Sequence, residues 1–193
     1  IALPETNEIL VREAMAAFGR LDLVVANAGM LGLGNVVEVE VSTWSRTMDV
    51  NLNSVFHLSR HAIPEMQRTG GGCIVVNSSI AAMKSFPNHP AYCASKAGVV
   101  ALTKQIALDY GPAIRANVIC PGPVDTPFIW DSAVAFADPA KAVENAGKRT
   151  ALRRLGTPTD IAGLVLFLAS PQSSWMSALL RLESRRTVAN IGR

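Results

Sequence analysis

Cys73-Ile74-Val75-Val76-Asn77-Ser78-Ser79 is a short apolar run that ends in small polar residues. It reads as a strand, Cys73 to Asn77, opening onto a polar loop. The same design recurs on either side. Leu21 to Ala26 (LDLVVA) reads as a strand buried on both faces and is followed by Asn27-Ala28-Gly29. Ile114 to Cys120 (IRANVIC) is closed by Pro121-Gly122-Pro123. Between these runs lie segments of helical period, so the order is strand, helix, strand, helix. That alternation predicts an α/β fold with a parallel sheet.

The helices have readable limits. Ile9, Leu10, Ala14 and Phe18 recur at helical spacing between Glu5 and Phe18, and Gly19 stops that helix. Ser42 is a suitable cap for a long helix whose apolar stripe is Trp44, Met48, Leu52, Val55, Ile63 and Met66, ended by Gly70-Gly71-Gly72. A helix runs from about Ala91 to Tyr110. Residues 128–150 read as short helices over a cleft. Thr157 caps a helix with Pro158 in its first turn, running to about Ala169. Ala178 to Leu182 is a candidate last strand.

Composition bounds the function. Of 193 residues, 49% are hydrophobic and 17% charged, which describes a globular chain rather than a disordered one. The longest apolar run, Ile161 to Ala169, is far short of the roughly 20 residues that cross a bilayer, so no membrane partner is expected. The net charge is +3, and Arg181, Arg185, Arg186 and Arg193 against Glu183 place that whole surplus in the tail. Without a basic stripe on the folded body, nucleic acid is not an expected partner. Cys73, Cys93 and Cys120 have neither zinc spacing nor a disulfide framework, so no metal site and a cytoplasmic location are expected. The start, Ile1-Ala2-Leu3-Pro4-Glu5, lacks the basic and apolar regions of a signal peptide, and it lacks an initiator Met.

Chemistry concentrates at the ends of the three strands, the rim where open parallel sheets bind ligands. Tyr92 and Lys96 lie four apart in a helix and share one face. A free phenol titrates near pH 10, and a nearby ammonium would lower that value toward neutrality, suiting the pair to general acid/base work. Taken alone, such a pair reads better as a packed Tyr beside a surface Lys. Ser79 sits at the rim of the middle strand, which feeds the same helix.

These residues fall within a longer pattern. FGRLDLVVANAG (18–29), DVNLNSVF (49–56), IVVNSSIAA (74–82), YCASK (92–96), PGPVDTP (121–127) and LRRLGTPTDIAGLVLFLAS (152–170) appear in this order. In sequence, order and spacing they resemble the short-chain dehydrogenase/reductase family over nearly the whole chain. The resemblance implies a Rossmann-like doubly wound parallel sheet in three αβα layers. It implies an NAD- or NADP-dependent oxidoreductase that moves a hydride between the nicotinamide and a secondary alcohol or ketone. Ketoacyl thioesters, sugars or polyols, and small cyclic alcohols all remain open as substrates.

By the same resemblance, Tyr92 is the catalytic acid/base, Ser79 orients the substrate oxygen, and Lys96 holds the cofactor ribose and lowers the Tyr92 pKa. Asn51 supports a proton relay through a water on its backbone carbonyl. Asn27, Ala28 and Gly29 line the adenosine-ribose side, and Val50 lies near the cofactor. Pro121, Gly122, Val124 and Thr126 grip the nicotinamide. Residues 128–150 form a substrate lid, with Phe128, Ile129, Trp130 and Phe136 offering apolar contact. A homodimer or homotetramer is implied, with the helices at 42–69 and 91–110 in the main contact.

Several features depart from the family pattern. The glycine-rich phosphate loop and the first three strands are absent. Residues 1–193 are therefore expected to be one partial domain that binds cofactor poorly alone and exposes an apolar strand edge. Residues 181–193 form a divergent tail. The rival reading is a non-catalytic relative acting as a binding or dimerisation module. The missing first quarter favours that rival, and the intact Asn51, Ser79, Tyr92 and Lys96 count against it. A hydrolase is disfavoured because no G-x-S-x-G surrounds Ser79. His57 and His61 lack the Glu of a zinc-protease motif and read as a solvated helix face.

Overall fold

The structure, a computed structural model, describes residues 1–180. Four parallel strands lie side by side in chain order: β1 (Leu23–Ala26), β2 (Gly72–Asn77), β3 (Ile114–Ile119) and β4 (Ala178–Leu180). Residues 181 and 182 of the expected last strand, and the divergent tail, lie outside the described residues. The helices are α1 (Pro4–Phe18), α2 (Val41–Met48), α3 (Ser54–Arg68), α4 (Pro90–Tyr110), α5 (Pro127–Ala133), α6 (Pro139–Arg149) and α7 (Pro158–Ala169). The α/β parallel fold expected from the alternation of apolar runs and helices is the one observed.

Strand pleating sorts the core into two layers. Ile74 and Val76 of β2, with Ile114, Ala116 and Val118 of β3, face α1, α3 and α4. There they meet Val11, Val55, Ile63, Met66, Val99 and Ile106. Cys73, Val75 and Ile119 point the other way and pack on Leu168 of α7. The polar residues inside β3 take the same side and are satisfied there. Arg115 donates to the carbonyls of Leu168, Ser173 and Met176 at 2.9–3.3 Å, and Asn117 donates to Met176 at 2.9 Å. A guanidinium at the carboxyl end of α7 also suits that helix's dipole.

Three expectations need correction. Strand β1 is not buried on both faces. Val24 is 7% exposed, but Leu23 and Val25 are 36% and 43% exposed, because α7 covers β2 and β3 and does not extend over β1. In α1 the apolar positions Ile9, Leu10 and Phe18 are exposed, while Val11 is buried. The helix turns toward α3 the stripe that contains Val11 and Met15. The long helix is not continuous. It begins at Val41 with Glu40 as cap and no side-chain capping bond, and a π-helical turn over Asp49–Asn53 separates α2 from α3.

The remaining boundaries follow local chemistry. Gly19 ends α1 in the left-handed region at φ 72°. Thr157 and Asp160 form a reciprocal capping box at the start of α7. Gly71, at φ 100°, makes the turn into β2, where a Cβ would lie 2.2 Å from the Ala113 carbonyl oxygen. Among the described residues no helix is long and apolar enough to cross a membrane.

Candidate active site

The carboxyl ends of β1, β2 and β3 open onto a cavity of about 1490 Å³. Ten of the expected site residues line it: Asn27, Ala28 and Gly29 after β1, Ser79 after β2, Tyr92 and Lys96 on α4, and Pro121, Gly122, Val124 and Thr126 after β3. Two do not. Asn51 is buried behind the wall at 1% exposure, and Val50 lies in the same π-helical turn with its carbonyl accepting from Ser54 Oγ.

Several rim residues are held by specific contacts. Ser78 Oγ donates to the Lys96 carbonyl at 2.7 Å, tying the end of β2 to the first turns of α4. Ser79 caps a 3₁₀ turn over Ile80–Ala82, its Oγ accepting from the Ala81 amide at 3.1 Å. The hydroxyl hydrogen of Ser79 is left to donate elsewhere. Lys96 is 4% exposed, and its Nζ donates to the Asn77 carbonyl at 2.8 Å. A parallel bridge between Val124 and Gly156 pins the segment after β3 to the loop that leads into α7.

The Asn51 side chain bridges two segments of the chain. Oδ1 accepts from the Met30 amide at 2.8 Å, while Nδ2 donates to the Met30 carbonyl at 2.8 Å and to Ser95 Oγ at 2.9 Å. Ser95 Oγ in turn donates to the Tyr92 carbonyl. The π-helical turn thereby clamps the segment after β1 to the turn of α4 that carries Tyr92. In the sequence, Asn51 is marked by its place in DVNLNSVF (49–56), the stretch that resembles the family. That place does not show its partners, 21 and 44 residues away.

The electrostatics differ from the expectation for Tyr92. Burial of the phenol is the largest effect and raises its pKa above 10.0, with hydrogen bonding to Ser79 acting the other way. Lys96 Nζ stands 5.7 Å from the ring centroid and does not outweigh that burial. Burial also lowers Lys96 from 10.5 to about 8, so the ammonium form still predominates at neutral pH.

His89 was not singled out by the sequence, yet it lines the cavity at 2% exposure beside Tyr92, with ring centroids 6.2 Å apart. Its Nδ1 faces the Pro87 carbonyl, which can only accept, so Nδ1 carries the hydrogen. Nε2 pairs with the Ser132 hydroxyl of α5 at 2.9 Å. The Phe128 ring also meets that of Tyr92, with centroids 5.8 Å apart. No group of three or more potential metal ligands is found among the described residues.

A family model described as enoyl-(acyl carrier protein) reductase matches residues 1–179. The chain belongs to the short-chain dehydrogenase/reductase family. It is 35% identical over 175 residues to human dehydrogenase/reductase SDR family member 4, covering 90% of this chain and 62% of that one. It is 38% identical over 178 residues to cyclohexanol dehydrogenase of an Acinetobacter species, covering 91% and 67%. This short-chain dehydrogenase/reductase thus spans about two thirds of the length of these curated relatives. The solved structure of Thermoplasma acidophilum aldohexose dehydrogenase superposes with a TM-score of 0.89 at 32% identity, covering 100% of this chain and 78% of that one.

Proposed function

We propose that this chain carries the hydride-transfer site of a nicotinamide-dependent dehydrogenase acting on a secondary alcohol or ketone. The observation that carries this reading is the meeting of Ser79, Tyr92 and Lys96 on one cavity at the sheet's rim. Sugars and cyclic alcohols are favoured substrate frameworks, given the aldohexose and cyclohexanol relatives.

The residues present fit the cofactor. Asn77 Oδ1 is buried without a hydrogen-bond partner at the rim. A Cβ on Gly29 would lie 3.4 Å from Asn51 Oδ1 and 3.5 Å from Lys96 Nζ, so the bare glycine leaves that corner open. The cavity also exceeds the roughly 300–1,000 Å³ typical of a single small ligand. Bound there as NAD or NADP, the cofactor supplies the hydride donor or acceptor.

The protein's own groups do the rest. Lys96 uses one N–H on Asn77 and has two left for ribose hydroxyls. Asn27, Ala28 and Gly29 let the cofactor approach the end of β1, and Pro121, Gly122, Val124 and Thr126 flank the nicotinamide. Ser79 donates to the substrate oxygen and steadies the negative charge it develops. In ketone reduction the Tyr92 hydroxyl gives its proton to that oxygen, and in alcohol oxidation the phenolate takes it back. A raised Tyr92 pKa keeps the proton on the phenol at neutral pH. Asn51 is a positioning residue that holds Met30 and the Tyr92 turn. Helices α5 and α6 serve as the substrate lid.

We further place the protein in a reducing cytoplasm as a homodimer or homotetramer. Cys73, Cys93 and Cys120 form no disulfide, which supports the compartment. The test is a screen of secondary alcohols and ketones with NAD(H) and NADP(H), using Tyr92→Phe as control. Turnover that disappears in Tyr92→Phe supports the reading. Cofactor binding without turnover would favour a non-catalytic binding module.

A further inference from the structure

Three cations line the cavity wall, Lys84, Lys96 and Arg149, and among the described residues lining it none is acidic. Lys96 is occupied with Asn77. Lys84 and Arg149 are not paired with any carboxylate among the described residues. The contrast within α6 is sharp. Its other cations, Lys141 and Lys148, are held by Asp138 and Glu144. Arg149, in the same last turn as Lys148, is exposed and lines the cavity instead.

We infer that the substrate is an anion, an alcohol or ketone bearing a carboxylate or phosphate that Lys84 and Arg149 recognise. The inference rests on the hydride-transfer reading of the same cavity and names its substrate class. A basic wall could equally serve the cofactor's phosphates, and the chain positions argue otherwise. Lys84 belongs to the loop joining Ser79 to Tyr92, the two groups assigned to the reacting oxygen. Its carbonyl accepts from the thiol of Cys93, the residue next to Tyr92, at 3.7 Å. Arg149 closes α6, which packs against α5, and α5 carries Phe128 against the Tyr92 ring. Neither belongs to the Asn27–Gly29 rim. A guanidinium and an ammonium with free donors form short charge-assisted bonds to carboxylate or phosphate, and an acid-free wall concentrates anions at its mouth.

The test compares matched acid and neutral ketones: levulinate against its methyl ester, and dihydroxyacetone phosphate against dihydroxyacetone. Turnover is measured with each cofactor, and binding of each compound is measured by calorimetry without it. An anion preference of about tenfold in KM or Kd over the neutral partner, shrinking as salt is raised, is expected. The pair showing the larger preference distinguishes carboxylate from phosphate. Arg149→Gln and Lys84→Gln should each collapse that preference. Equal handling of acid and neutral partners would overturn the inference while leaving the hydride-transfer reading intact. Variants that raise the cofactor's KM and spare the acid-to-neutral ratio would also overturn it, by assigning the cations to the cofactor. If no ketone is turned over, the calorimetric comparison still decides the charge preference.

Discussion

On the side of the sheet covered by α1, α3 and α4, apolar residues from three helices and three strands close over one another. Met66, Ile74, Ile114 and Val118 have essentially no exposure there. On the side covered by α7, closure stops at β2 and β3. Leu23 and Val25 of β1, and Leu166 of α7, stay open at 36%, 43% and 70%, and the cavity lies along that opening. One side closes over its apolar residues, and the other leaves them open beside the cavity. Proteins that bind ligands at strand ends need both, because a site must be held by something that does not move when the ligand comes and goes.

Substitutions can break this contrast. Tyr92→Phe removes one oxygen from the open side, and a loss of about 10²–10⁴-fold in kcat is expected with little change in thermal midpoint. Steady-state assays beside a melting curve would check both parts, and a comparable loss of stability would mean the two sides are not separable. On the closed side, Met66→Ala empties a fully buried site and should cost about 2–5 kcal/mol by urea denaturation. Between the two lies Asn51→Ala, which leaves both Met30 backbone groups without their partner. It should cost about 1–3 kcal/mol and also lower kcat, since the Tyr92 turn loses its brace.

A pH series sharpens the comparison further. Lys96 has a folded pKa of about 8 against an ordinary value of 10.5. Between those values the unfolded chain binds a proton that the folded chain does not, so stability rises with pH there. Below about 8 both states are charged and the contribution is flat. Above about 10 the raised Tyr92 pKa reverses the sign, because the folded state then keeps a proton that the unfolded chain loses. Urea midpoints from neutral pH to about 10 should climb in the wild type, and that climb should disappear in Lys96→Met. The smallest effect is expected at Leu166→Lys, within about 0.5 kcal/mol, because that side chain is already in water.

Much of the site was legible because its signals are local. Tyr92 and Lys96 share a helix face by spacing alone, and small residues after each strand marked the rim before any coordinates. The capping box of Thr157 and Asp160 was half visible, as a Thr before a Pro. What escaped was carried by distant partners. His89 meets Ser132 43 residues along the chain, and Asn51 meets Met30 21 residues back. The Tyr92 pKa was misjudged for a related reason. The Lys four residues away is a sequence fact, whereas the burial that outweighs it depends on everything packed around the ring.

The sequence alone determined the order of strands and helices, their parallel pairing and the rim on which the reactive groups gather. Periodicity, caps and turn residues act over a few positions and survive in any context. Only the tertiary structure decided which apolar residues are buried, so that Val11 is inside while Leu10 and Phe18 are not. It also decided that the long helix breaks into a π turn at Asn51, and that Arg149 lines the cavity while Lys148 is paired. Burial and charge pairing depend on which surfaces meet, and that is settled by neighbours remote in the chain.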